Sequence, residues 1–502
     1  MKVIYIPLDE RPCNYKYPIQ IAEGSSLEII APPKDILNNK KVPAKLDKLW
    51  RFVEEKIEEC SYAVLSLDML IYGGLLPSRL HELPLEVLLE RLERIKRLKE
   101  NNPKVIFYGF DLIMRVPSYS SAEEEPNYYE EYGEFIFKIS WLKDKLERGV
   151  AEEKDKEDYE KYINYVPKEF QQDYFERRDK NYKVTEHALK MVAKGIFDFY
   201  VIPQDDSALY GVQSQEQGKH RKTIENCNIG NKVYMYPGAD EVGCTLISRI
   251  INHSSNKTPK VFVKFSSTLG PTIIPKYEDR PYLETIKYHI ISCGMCLADG
   301  SDDADVILMV NTPGTEMTES WCQGNPPSTN NSHRNLKEFV IAIKEYIKTG
   351  KKVALADVAY SNGADLELIS LLNSEKILDK LCSYGGWNTN GNTLGTVLSA
   401  AVVSVYNYIN INFLIYRLIE DCGYQALVRQ QVISELPNKG LSYYDFKDKQ
   451  SWVEMRTKML LEGFVNNNIK QSFEGYDIII NKVDFPWKRM FEVDLEVGII
   501  YI

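Results

Sequence analysis

At 502 residues the chain exceeds what one hydrophobic core normally organises, so one large domain with at least one smaller one is expected. A hydrophobic share of 44% and a charged share of 27% are those of an ordinary globular protein and exclude a disordered or fibrous chain. With 62 Lys and Arg against 72 Asp and Glu the net charge is −10, and no basic run is long enough to neutralise a row of phosphates, which argues against nucleic acid as a partner.

Met1 leads straight into an apolar run at 2–7 that is too short and unflanked for a secretory signal. No stretch of about 18 apolar residues occurs; the nearest, 398–414, is broken by Ser404, Asn407 and Asn410, so no membrane span is expected. Nine scattered cysteines fit a reducing cytoplasm better than a disulfide framework. Cys293-Gly-Met-Cys296 is a single CxxC without the second pair that a zinc site would need.

Taken in chain order, short apolar runs at 3–7, 27–31, 63–67, 105–109, 199–203, 233–236, 261–265, 306–310 and 353–357, and one before Trp387, read as ten strands. Each ends in polar or Gly/Pro punctuation and is followed by helical periodicity, the pattern of βα units on a parallel sheet. Ten is two more than a closed barrel needs, so the reading is a (β/α)8-like barrel over 1–400 with a βαβ insertion at about 258–312. An open doubly wound sheet is the alternative. A charged, Tyr-rich stretch at about 118–195 is too long for a simple connection and reads as a helical insertion. Residues 401–502 carry longer helices, at 406–430 and 452–466, and a terminal edge strand within 491–502, and read as a C-terminal α-rich subdomain.

In either architecture ligand-contacting residues gather at the carboxyl ends of the strands. Those ends supply Asp9, Glu10 and Arg11; Asp68; Asp111 with Arg115; Asp205 and Asp206, with Tyr210 beyond; Asp240 and Glu241; Asn311 and Thr312; Asp357 with Asn362; and Trp387, Asn388, Asn390 and Asn392. The six His are far apart and form no HxH or HExxH, and no GxGxxG, P-loop or GxSxG follows a strand. Carboxylates for acid–base work, with amides and aromatics to hold hydroxyl groups, are the palette of a glycoside-processing site.

The sharpest signal is the strand Phe199-Tyr-Val-Ile-Pro-Gln, which empties into Asp205-Asp206. Neighbouring carboxylates raise one another's pKa, so one can stay protonated as a general acid while the other is ionised. The competing reading is that Asp206 or Ser207 caps the next helix. Asp240-Glu241 repeats the pattern one strand on, and can equally be acids favoured by a helix dipole. Asp9-Glu-Arg11 can be a self-neutralising ion pair.

Pro7-Leu-Asp-Glu-Arg-Pro12 with Asn14, Ser66-Leu-Asp-Met-Leu-Ile-Tyr-Gly-Gly-Leu75, Arg115-Val-Pro117 with Glu123-Glu-Glu-Pro126, Gln204-Asp-Asp206 with Tyr210-Gly211, Ala356-Asp-Val-Ala-Tyr360 with Asn362-Gly363, and Gly386-Trp-Asn-Thr389 with Gly391-Asn-Thr-Leu-Gly395 resemble a bacterial family of unknown function, DUF4127. The resemblance runs over most of the chain and implies no activity. Adjacent Asp residues at a strand end are also similar to those of the O-GlcNAcase-like β-N-acetylhexosaminidases. That similarity implies a substrate-assisted mechanism with Asp205 orienting the 2-acetamido group and Asp206 as general acid/base. It also implies that Trp387 and Asn388 hold sugar hydroxyls.

The leading expectation is therefore a glycoside hydrolase for a 2-acetamido sugar with no cofactor. Its substrate would be a small carbohydrate held by Asp9, Arg11, Asp68, Asp111, Arg115, Tyr210, Asp240, Glu241, Asp357, Trp387, Asn388 and Asn392. One rival is a Mg²⁺-dependent hydrolase or transferase in which Asp9, Asp68, Asp111 and Asp206 bind the metal, since oxygen-rich sites suit hard cations. The other is a non-catalytic carbohydrate-binding protein. The sequence leaves the oligomeric state open.

Overall fold

The computed structural model describes residues 1–501. It is a mixed α/β protein whose chain divides into two compact units. The first comprises residues 1–10, 27–243 and 277–279, and the second residues 11–26, 244–276 and 280–502.

The first unit is built on six parallel strands: β1 (Lys2–Ile6), β2 (Glu28–Ile30), β3 (Tyr62–Ser66), β4 (Ile106–Phe110), β5 (Phe199–Gln204) and β6 (Val233–Pro237). Their order across the sheet is β2-β1-β3-β4-β5-β6, all neighbours parallel. β3 is buried at every position, as a parallel strand covered on both faces must be. The helix Leu85–Asn101 shows why the helices cover the sheet: Leu88, Leu92, Ile95 and Leu98 recur on one buried face while Glu, Lys and Arg fill the rest.

Between β4 and β5 stand three helices, Tyr129–Glu147, Glu153–Tyr165 and Lys168–Ala193. They bury a hydrophobic cluster of their own, including Tyr129, Ile136, Val166 and Tyr174, against Met114 and Val116. The chain stretch that follows β4 is thereby gripped from the insertion side.

The second unit carries β7 (Lys260–Phe265), β8 (Cys296–Leu297), β9 (Val306–Asn311), a short parallel pair β10 (Thr318–Glu319) and β12 (Tyr360–Ser361), β11 (Lys352–Asp357) and β13 (Ser383–Gly385). The main sheet runs β13-β11-β9-β7-β8 and is again parallel. The strand–helix–strand segment expected as an insertion is the start of this sheet, with the helix Tyr282–Ser292 between β7 and β8. Renumbered from its first strand the order is 2-1-3-4-5, which is also that of the first five strands of the first unit, and is a known doubly wound order.

Neither sheet is closed. The ten strands read from the sequence are all present, but they pair as two open sheets, and the closed barrel suggested by their number is not among these pairings. Strand count alone cannot say which strands are neighbours, because each crossover can place the next strand on either side.

Residues 401–502 belong to the second unit. The helix expected at 406–430 is composite: Ile411–Arg417, then an eleven-residue π-helix Leu418–Val428, then Arg429–Glu435. The terminal strand β15 (Asp494–Tyr501) pairs antiparallel with β14 (Tyr476–Asp484) as a two-stranded ribbon. Among the described residues no helix is long and apolar enough to cross a membrane.

Candidate functional site

In the first unit the carboxyl ends of β3, β4 and β5 converge on the Asp205-Asp206 pair. The chain leaves β5 at Gln204, and Asp206 takes a left-handed backbone with φ of 43°. Asp is one of the few non-glycine residues that tolerate that conformation, and it is uncommon enough to mark a functional or strained position.

Two arginines hold the pair. Arg79 Nη2 lies 2.6 Å from Asp205 Oδ2, and Arg115 Nη1 lies 3.2 Å from Asp206 Oδ2. Arg79 sits on the short helix Leu75–Leu80, which starts after a left-handed Gly73-Gly74 step. At Gly73 an added Cβ would come within 2.9 Å of the Ala44 amide nitrogen, so only glycine permits the turn that presents Arg79.

Arg115 is set by its own carbonyl, which accepts from Tyr174 Oη at 3.1 Å and Arg178 Nη1 at 3.2 Å, while Arg178 itself pairs with Glu216. Both Tyr174 and Arg178 lie on the insertion helix Lys168–Ala193. The insertion thus positions a site residue, a role its charged sequence did not announce.

Glu124 and Glu125 complete the cluster. Glu124 bridges the arginines, at 3.0 Å from Arg79 Nη1 and 2.8 Å from Arg115 Nη2, and Glu125 contacts both at 3.2 and 3.0 Å. Four carboxylates therefore face two guanidiniums. Asp206, whose side chain remains 24% exposed, has its pKa pushed up to about 6, first by desolvation and then by the Asp205 charge, against the pull of Arg115 and Arg79. Burial raises Glu125 as well.

The helix-cap alternative for Asp206 and Ser207 does not hold. The next helix begins at Val212 with Gly211 as its N-cap, and its first amides are taken by the insertion: Gly211 N donates to Asp144 and Val212 N to Ser140. Asp206 contributes only its backbone carbonyl, accepting from Gln213. Tyr210 stands edge-on to Trp141 with Arg148 over its ring.

Behind the pair, Asp68 and Asp111 are buried at the ends of β3 and β4. Asp68 accepts from the Leu112 amide, and burial, followed by the Asp111 charge, pushes it up to about 8. Asp111 accepts from Thr185 and from Tyr200 Oη, and burial pushes it up to about 6. Asp9, at the end of β1, and Asp240, at the end of β6, are also buried. Glu241 curls back so that Oε2 accepts from the Ala239 amide at 2.9 Å, and burial pushes it up to about 8. Its Oε1 occupies the place a Cβ of Gly238 would take. Among the described residues no three His, Cys, Asp or Glu side chains are grouped to hold a metal ion.

The remaining sequence-predicted residues lie in the second unit. Asp357 ends β11 inside a buried network. Asn311 Nδ2 donates to its Oδ1 at 2.8 Å, Tyr384 Oη to its Oδ2 at 3.2 Å, and the Asp365 amide to Oδ2 at 2.9 Å. Burial, then the Asp365 charge, pushes Asp357 up to about 8. Asn392 lies in the first turn of the helix Asn390–Val405, capped by Thr389.

Arg11, Trp387 and Asn388 line a narrow crevice together with Tyr17, Glu420, Gln425 and Glu492. Trp387 is 6% exposed, its Nε1 donating to Thr396 Oγ1 at 3.3 Å and its ring meeting Tyr17 edge-on at 6.0 Å. Asn388 is left-handed, with φ of 51°, and its carbonyl accepts from the Asn362 amide. The sequence reading missed Arg79, Glu124, Glu125, Tyr17 and Glu420. Of these only Glu124 and Glu125, in the run Glu123-Glu-Glu125, carry a signal visible in one dimension.

No curated protein and no solved structure matches the chain. A family model does, over residues 3–496, and its description is a protein of unknown function. Nearly the whole length is covered, and the chain belongs to the DUF4127 family.

Proposed function

We propose that the chain is a glycoside hydrolase acting on a 2-acetamido sugar by substrate-assisted, retaining catalysis. Asp206 is the general acid/base and Asp205 the carboxylate that orients the acetamido group. The observation that carries this reading is the division of labour in the pair: Asp205 is clamped by a buried guanidinium, while Asp206 stays partly open to solvent with its pKa raised to about 6. A carboxyl raised towards neutrality is what a general acid requires.

In the first step the acetamido oxygen attacks the anomeric carbon as the glycosidic C–O bond breaks, and Asp206 gives its proton to the departing oxygen. Asp205 stabilises the positive charge that develops on the acetamido-derived ring. In the second step Asp206, now ionised, takes a proton from water, whose oxygen opens that ring and restores the configuration. Arg115 and Glu124 stand beside the pair, Arg115 on Asp206 and Glu124 between the two arginines.

The test is turnover of an aryl 2-acetamido-β-glycoside. Release of the aryl alcohol, surviving exhaustive chelation and lost in Asp205→Asn, supports the reading. No turnover of any 2-acetamido glycoside, or loss of turnover with EDTA and recovery with Mg²⁺, overturns it.

A further inference from the structure

A general acid must stand within hydrogen-bond reach of the oxygen it protonates, so the group that departs with that oxygen lies over whatever flanks the acid's open side. Two large apolar side chains flank Asp206. Leu209 is 55% exposed and Tyr119 is 49% exposed. Isolated apolar side chains are ordinary on a protein surface, but these two stand by one carboxyl.

Leu209 is kept there by the chain. Three residues span at most roughly 10 Å, and the loop is pinned on both sides of Leu209. The Asp206 carbonyl accepts from Gln213 Nε2 at 3.1 Å, Tyr210 packs edge-on to Trp141, and Gly211 N donates to Asp144 Oδ2 at 2.9 Å.

Tyr119 is kept there by the segment 117–126, which is held from two sides. On the side of the helix Tyr129–Glu147, the Pro117 carbonyl accepts from Tyr129 Oη at 3.0 Å and Ser120 Oγ from the Glu134 amide at 3.1 Å, while the Ala122 amide donates to Glu130 Oε2 at 2.7 Å. The Tyr119 carbonyl itself lies against Gly133, 2.9 Å from where a Cβ of that residue would stand. On the side of the site, Glu124 and Glu125 bond both arginines. The Arg115 charge is the largest influence on the Tyr119 phenol and lowers its pKa, but burial and the charges of Asp206 and Glu124 together push it up. The hydroxyl is therefore the enclosed end of the side chain, beside Arg115 and Asp206, and the exposed part is the ring.

These walls do not suit a second sugar. Leu209 gives a hydroxyl no partner, and a polar group that loses water without gaining one is penalised. Each of the three side-chain nitrogens of Arg115 already donates to a carboxylate, of Glu125, Asp206 and Glu124. An apolar group, by contrast, gains by covering Leu209 and the Tyr119 ring.

We propose that Tyr119 and Leu209 form the leaving-group subsite beside Asp206, and that the group split from the 2-acetamido sugar is apolar, an aryl or alkyl group, and not another sugar. This rests on the assignment of Asp206 as the general acid.

The experiment is calorimetric titration of the full chain with three S-linked 2-acetamido-β-glucosides, whose sulfur bridge resists hydrolysis, bearing a methyl, a phenyl or a glucosyl group. The phenyl compound should bind about tenfold tighter than the methyl compound, the worth of covering roughly half of one large apolar side chain, and the glucosyl compound no tighter than the methyl. Tyr119→Ser and Leu209→Ser should each lower the phenyl-to-methyl ratio about threefold, while Tyr119→Phe, which keeps the ring, should retain it. Tighter binding of the glucosyl than of the phenyl compound, a phenyl-to-methyl ratio near one, or a ratio that both serine variants leave unchanged overturns the proposal and leaves the assignment of Asp205 and Asp206 standing. Binding of none of the three overturns that assignment, and the proposal with it.

Discussion

Arg79 and Asp205 meet at 2.6 Å although 126 positions separate them in the chain, and the Arg79 side chain is only 2% exposed. Arg79 also contacts Glu124 and Glu125, so its removal takes the cationic partner from Asp205 and leaves the two glutamates to Arg115 alone. Breaking a buried pair by deleting one partner costs about 3 to 5 kcal/mol. Arg79→Met should lower stability by that order in urea unfolding, and Asp205→Asn made in the same background should recover part of the loss.

Asp206→Asn removes the proton donor, a contribution of about 10² to 10⁴ in rate. It should do so for poor leaving groups and spare aryl glycosides with acidic ones, whereas Asp205→Asn should slow both. Because Asp206 carries its proton only below about pH 6, the basic limb of the pH–rate profile should fall there. A profile flat through that region, or equal losses for every leaving group, argues against the assigned roles.

Asp68 is an acid whose folded pKa, about 8, lies above the unfolded value near 4. The folded state keeps that proton where the unfolded state has lost it, so the stabilisation is full below about pH 4 and is lost as pH rises to about 8. Asp68→Asn abolishes this contribution. Chemical denaturation at pH 5 and pH 8 should show a smaller loss of stability on raising the pH for the variant than for the parent.

Gly238 adopts φ of 153°, and a Cβ there would lie 2.0 Å from Glu241 Oε1. Gly238→Ala should destabilise by about 1 to 3 kcal/mol. Combined with Glu241→Ala the two losses should sum to more than the double variant shows, since the second change removes the clash created by the first. Strict additivity would mean that the backbone angle alone carries the cost.

Trp387, expected to stack on a sugar, is packed against Tyr17 and bonded to Thr396. Trp387→Ala should therefore cost about 3 to 5 kcal/mol of stability, the range for deleting a buried aromatic side chain. A thermal melt unchanged from the parent would show that the ring is not part of the core.

All ten strands were legible because a parallel strand must be apolar on both faces, and its abrupt polar end shows in one dimension. Asp205 and Asp206 were legible for the same reason: they are covalent neighbours at such an end. The insertion at about 118–195 was legible as helical, yet nothing in its charge pattern indicated that Tyr174 and Arg178 hold the Arg115 carbonyl.

What the sequence determined by itself was therefore local: where strands and helices fall, and which polar residues the strands release. Which strands neighbour one another, and so whether ten strands make one ring or two open sheets, depends on the direction each crossover takes, and composition does not encode it. The partners of the carboxylates were decided in the same way. Arg79 reaches Asp205 only because β3 and β5 flank β4, and Glu124 reaches both arginines only because the loop after β4 folds back over them. That Glu420 and Gln425 line one crevice needs a π register, a hydrogen-bond choice that apolar periodicity cannot reveal because it changes which residues share a face without changing which residues are apolar.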